Sequence, residues 1–216
     1  MDDSARSAES KYAALIGDIC GSRHLERRST LQQQLEAALE AISGELEPRP
    51  ASRLVLTLGD EFQGLFASAA AAVGAVLELE TRLAGGIRLR YAVGWGGLST
   101  PLKPRALGMD GPCFHVAREA MKRAKQEDRW LVLAGLEARP AAIANGVAGL
   151  IGAVRRTWTP TQAETVGLMQ TRTTLKQVAA ARGVATSTVH KSLRGALYEP
   201  VREAQEALLR LLDEVR

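Results

Sequence analysis

From Leu175 the chain reads LKQVAAARGVATSTVHKSLRGALY, a spacing that constrains the fold more than any other stretch of the sequence. Ala179 is small where two helices would cross closely, and Gly183 supplies the positive φ of a tight turn. Val178, Val184 and Val189 fall where side chains pack between the two helices. The pattern predicts a helix, a short turn and a second helix, with Thr186, Ser187 and Thr188 offering an N-cap and short hydroxyls where the second helix starts. His190, Lys191 and Arg194 are expected on its outward side.

Charge gives this segment a direction. No acidic residue lies between Glu164 and Glu199, whereas Arg172, Lys176, Arg182, Lys191 and Arg194 all do, so a polyanion would meet an uninterrupted positive face. The expected partner is double-stranded DNA, and the expected contacts are Lys176, Thr186, Ser187, Thr188, His190, Lys191 and Arg194. The competing reading is a helix pair that mediates protein contacts only. Thr161 to Met169, introduced by Thr159-Pro160, reads as the preceding helix, and Pro200 to Arg216 as an amphipathic tail helix that supports the motif or pairs two chains.

The first two thirds of the chain alternate in period. A polar tail over residues 1–11 precedes Tyr12 to Ile19 (YAALIGDI), which reads as a buried strand. Ser29 to Leu46 carries Leu31, Leu35, Ala38, Leu39 and Ile42 at helical spacing. Arg53 to Leu58 and Glu61 to Phe66 form strand-like runs around Gly59-Asp60, the arrangement of a hairpin with Asp60 near its tip. A helix over Ser68 to Leu83 capped by Gly85-Gly86, a strand over Ile87 to Gly94, a helix over Pro112 to Lys125 and a strand over Trp130 to Ala134 follow. Glu137 to Thr157 reads as a connecting helix.

This order matches a split βαβ unit with an extra edge strand. The expected fold class is α+β: a ferredoxin-like domain over 12–156, followed by an all-α helix-turn-helix domain over 157–216. With aromatic residues at 4%, the core must be mainly aliphatic, and Trp95 and Trp158 are read as packing residues.

No apolar run approaches the ~20 residues needed to span a bilayer, and the N-terminus lacks the pattern of a signal peptide, so a cytoplasmic location without membrane contact is expected. Cys20 and Cys113 are too few and too far apart for a disulfide framework or a zinc site, and read as apolar fillers.

At YAALIGDICGSR, LTLGDEFQGLF, RYAVGWGGLST and GMDGPCFHVAREAMKRAK the chain resembles the SatD family of bacterial proteins, whose founding operon name refers to secretion and acid tolerance. More distantly, these segments resemble the palm domains of class III nucleotidyl cyclases and of GGDEF diguanylate cyclases. There, an aspartate ending the first strand and an acid at the hairpin hold two magnesium ions against a nucleoside triphosphate. The resemblance puts Asp18 and Asp60 on those two positions, with Glu61 beside Asp60. It implies a nucleotide site with Mg²⁺ at Asp18, Gly21, Ser22, Asp60 and Glu61, an oxygen-rich set that suits the ion. Gly17, Gly21 and Gly59 would let the backbone approach phosphates.

The sequence departs from the cyclase pattern at the helix that steadies the transition state. His115 and Glu119 stand where an Asn and an Arg are required, Arg118 is one position off, and the hairpin reads LGDEF without the first of the paired glycines. The expected function is therefore a DNA-binding regulator whose palm-like domain binds a nucleotide or forms a homodimer. The alternative is an active Mg²⁺-dependent nucleotidyl cyclase or nucleotidyltransferase with a C-terminal docking domain. His24 carries no assignment.

Overall fold

The computed structural model describes residues 10–21, 28–45, 49–57, 60–84, 86–172 and 174–215. Ser22, His24, Gly59 and Gly85 lie outside the described residues, so the expectations placed on them are not met with any geometry.

The chain is a mixed α and β protein built on one five-stranded sheet. Five strands, β1 (Lys11–Ile19), β2 (Ser52–Leu56), β3 (Glu61–Phe66), β4 (Leu89–Gly97) and β5 (Leu131–Ala134), stand in the order β2-β3-β1-β4-β5. The run YAALIGDI is apolar nearly throughout because β1 is central, paired antiparallel with both β3 and β4 and covered on both faces. β5 joins β4 in parallel, and a parallel partner requires a crossover helix, here α3 (Pro112–Gln126).

The two faces are covered differently. Ala14, Ile16, Leu65, Ala92 and Val132 meet α3, through Cys113, Phe114, Ala117 and Met121, and Met109 of the loop before it. Gly94 makes this possible: a Cβ there would collide with the backbone of Cys113 and Ala117, so α3 lies directly on β4. The opposite face packs on α1 (Arg28–Glu45), α2 (Ala69–Arg82) and α4 (Ala138–Arg156). Aliphatic residues make up most of that core, as the composition requires. The three phenylalanines and Tyr91 are nevertheless all fully buried, with Tyr91 edge-on to Phe62 and Trp130.

Four helices close the chain: α5 (Pro160–Thr171), α6 (Leu175–Arg182), α7 (Thr186–Gly195) and α8 (Tyr198–Asp213). Thr159 and Thr174 start α5 and α6 with reciprocal caps, each accepting from the backbone of a glutamine that reaches back to it, Gln162 and Gln177. Gly183 ends α6 in the left-handed region at φ 63°, which is the turn its position in the sequence predicts. Val166, Val178, Ala179, Val189, Leu193 and Ala196 form a small separate core among α5, α6 and α7.

The tail helix is where sequence left two options. Val201, Gln205, Leu208 and Leu212 line one stripe of α8 and bury it against α2 and α4, joining the core of the sheet. This apolar face is therefore filled from within the chain. Trp158 fastens the other end of the segment by donating its indole N–H to the Ala196 carbonyl (2.8 Å).

Candidate functional site

Asp18 and Glu61 stand opposite each other where β1 and β3 pair, so antiparallel register brings the two carboxylates to one end of the sheet. Asp60 precedes Glu61, and its carbonyl accepts from the Ile19 amide at 3.3 Å. The acid that meets Asp18 is Glu61 rather than the Asp60 expected there, and the space between the two holds a cation from the protein itself. Lys125, near the end of α3, places its ammonium 3.0 Å from Asp18 Oδ1 and 2.9 Å from Glu61 Oε1. Burial pulls the Lys125 ammonium toward deprotonation, the hydrogen bonds to Glu61 and Asp18 oppose it, and the balance raises its pKa. On the far side Arg90 approaches Asp18 Oδ2 at 3.6 Å.

These residues do not fit Mg²⁺. An octahedral ion needs oxygen ligands with negative charge to spare, whereas Asp18 is shared between a lysine and an arginine. Among the described residues no group of three or more His, Cys, Asp or Glu side chains is gathered as a metal site. Gly21 takes φ 71°, with open space where a Cβ would stand. The cyclase-type transition-state positions are also remote. His115 pairs with Asp110 (3.3 Å), Glu119 with Lys122 (2.6 Å), and Arg118 approaches Asp110 at 3.5 Å, all exposed. His115 lies ten residues before Lys125 on the same helix, about 15 Å along its axis.

The α7 surface has the opposite character. Val189 and Leu193 turn inward, while Thr186, Ser187, Thr188, His190, Lys191 and Arg194 are all exposed, as is Lys176 on α6. Among the described residues Lys176, Lys191 and Arg194 make no ion pair and no side-chain hydrogen bond.

Two expectations need correction here. Ala185, not the threonine-serine run, is the N-cap of α7, and no side chain caps it; Thr186, Ser187 and Thr188 form its first turn with their hydroxyls outward. Arg182 also leaves the positive face. It is 11% exposed, donates to Thr165 Oγ1 at 2.7 Å and leans toward Glu164, because the turn at Gly183 swings it under α5.

One feature escaped the sequence reading altogether. A cavity of about 360 Å³ opens between the sheet end and α5, lined among others by Arg88, Arg90, Arg129, Arg155 and Arg156. These arginines come from three separate stretches of sequence, and only charge density around Arg88-Leu89-Arg90 and Arg155-Arg156 hints at them. Arg155 is held by Glu80 and lies over the rings of Trp130 and Trp158, 5.4 and 4.9 Å from their centroids.

The fold and these surfaces define a mixed α and β protein with a cation-rich helical segment packed on the α2 and α4 helices that cover its sheet. The SatD family model matches residues 12–202, and the chain belongs to that family. No curated protein matches it. Among solved structures, a bacterial light-regulated adenylyl cyclase shares 14% identity at a TM-score of 0.43, covering 69% of this chain and 81% of that one. A second bacterial light-regulated adenylyl cyclase structure, also at 14%, gives 0.40 over 57% of this chain and 42% of that one. The likeness is weak and concerns the fold alone. Among the described residues no helix is long and apolar enough to cross a membrane.

Proposed function

We propose that this protein is a DNA-binding transcriptional regulator in which α6 and α7 act as a helix-turn-helix and α7 enters the major groove. The observation that carries the reading is the outward face of α7, where Lys191 and Arg194 project with no partner among the described residues, beside His190 and the hydroxyls of Thr186, Ser187 and Thr188. Residues whose donors are unsatisfied internally, on a segment without a carboxylate from Thr165 to Tyr198, suit a phosphate backbone and base edges. The left-handed Gly183 and the Val178–Val189 packing support the same reading, since they fix α7 at an angle to α6.

The sheet unit follows a ferredoxin-like path in this proposal, which the β2-β3-β1-β4 order supports. It serves as the regulatory and dimerisation platform. α4 supports self-pairing: between Arg139 and Arg155 it carries no charge, and Ile143, Gly146, Leu150 and Ala153 leave an exposed stripe at spacings of three and four. A homodimer would present two α7 helices, which suits a pseudo-palindromic site.

The test is binding of the purified full chain to the DNA upstream of its own gene across a salt series. Specific binding that weakens linearly in log–log form with salt is expected. Binding no tighter than to unrelated DNA would refute the reading.

A further inference from the structure

We infer that the cleft between the sheet end and α5 is a binding site for a small phosphate-bearing molecule of nucleotide size. The ligand site of the sheet unit is then this arginine cleft rather than the carboxylate edge beside it. The site stands whether or not α7 meets DNA.

Its wall is amphipathic. Leu83, Ile87 and Val166 form an apolar side, and five guanidiniums face them with Glu80 as the one carboxylate of the lining. The ionic accounts of those guanidiniums do not balance. Glu80 serves Arg155 and also accepts from the Tyr91 hydroxyl (2.9 Å), so it has nothing to offer the others. Arg88 and Arg90 share Asp128, at 2.9 and 3.1 Å, a group 59% exposed at the rim, and the second carboxylate near Arg90, Asp18 at 3.6 Å, is itself shared with Lys125. Arg129 pairs with Glu127 (2.6 Å). Among the described residues Arg156 has only the Asp128 backbone carbonyl, at 3.2 Å.

Two buried donors are left over. Among the described residues Arg90 Nε and Trp130 Nε1 have no hydrogen-bond partner, and both atoms lie beneath the surface of the cavity that their side chains line. A buried donor without an acceptor is costly, and charged donors more so. The lining as a whole offers more donors than acceptors, which suits an oxyanion. Several guanidiniums converging on one space favour a group with several oxygens and more than one charge, which is a phosphate rather than a carboxylate. A volume of about 360 Å³ leaves room for a body that rests on the apolar side.

The cleft also joins the two parts of the molecule. Gly167 of α5 packs against Ala84 at the end of α2, so closely that a Cβ would not fit. Thr165 of α5 receives hydrogen bonds from Arg182 of α6 and Ser192 of α7 (2.7 and 3.2 Å). A ligand gripped by β4, α4 and α5 therefore touches the helix on which α6 and α7 are seated.

The experiment is calorimetric titration of the full chain with pyrophosphate, AMP and ATP, in low-salt buffer with a chelator present. At least one probe is expected to bind one-to-one with a sub-millimolar Kd and without Mg²⁺. An Arg88→Gln/Arg156→Gln variant, altered at two exposed heads that the fold does not need, should lose about tenfold or more in affinity. An Arg118→Gln/Lys122→Gln variant, which removes the same charge from α3, should bind as the parent does. Absence of sub-millimolar binding by all three probes would overturn the site, and so would equal losses in the two variants or unchanged affinity in the first.

Discussion

The carboxylate edge and the α7 face are both sets of residues that sequence marks as functional, and the structure treats them in opposite ways. At the edge Asp18 and Glu61 meet, but Lys125 and Arg90 meet them too, so the group is closed on itself. On α7, Lys191 and Arg194 have no ion-pair partner among the described residues. Converging charges whose partners lie within the chain serve the fold, and exposed charges on a rigid, well-packed helix remain available to something else. Residue type alone does not separate these cases, because Asp18 and Lys191 are equally suggestive as letters.

The sharpest way to break this comparison is to truncate the α7 donors. Lys191→Ala with Arg194→Ala should lower DNA affinity about 10- to 100-fold and reduce the log–log salt slope by about 2, with an unchanged melting temperature. A melting temperature that falls with affinity would place these residues in the fold instead. The converse change is Asp18→Ala, which leaves Arg90 and Lys125 short of a partner; stability should drop by about 1–3 kcal/mol in urea unfolding while DNA affinity holds. If DNA binding were lost without that drop, the edge would be a working site after all.

Smaller effects refine the picture. Gly183→Ala forces a side chain into the left-handed region without any clash, so it should cost about 1–2 kcal/mol, read by thermal melting, and blunt DNA binding through the tilt of α7. Least of all is Lys125→Met, on the order of 0.5–1 kcal/mol for a half-exposed pair. Its pH dependence has a definite sign. Because the folded-state pKa of Lys125 is raised, its contribution is whole below the ordinary value of 10.5 and lost as pH rises past the folded value. The gap in urea midpoint between parent and variant should therefore be flat from pH 7 to 9 and close above about pH 10.5. A gap that widened with pH would sink the ion-pair account.

Much of this architecture was legible because it rests on local rules. The period-2 and period-3.6 runs locate the strands and helices, and Thr159, Thr174 and Gly183 mark helix ends through bonds that span three or four residues. The α7 face is legible for the same reason: once Val189 and Leu193 point inward, geometry sends Thr186, His190, Lys191 and Arg194 outward. The resemblance pointed to Asp18 and Asp60, whereas the antiparallel pairing of β1 and β3 sets the neighbouring Glu61 opposite Asp18.

Contacts between distant segments were not legible. No periodicity says that Lys125 reaches across α3 to Asp18, that Arg182 turns under α5, or that the apolar stripe of α8 is spent on α2 and α4. The arginine cleft belongs here as well, since Arg88, Arg129 and Arg156 become neighbours only when β4, the turn before β5 and the end of α4 are brought together. By itself the sequence determined which residues form each element and which side of each element is buried, because hydrophobic period and capping act within a few residues. The tertiary structure alone decided which charges are neutralised and which stay free, because an ion pair depends on distances of a few ångströms between groups that the chain order keeps far apart.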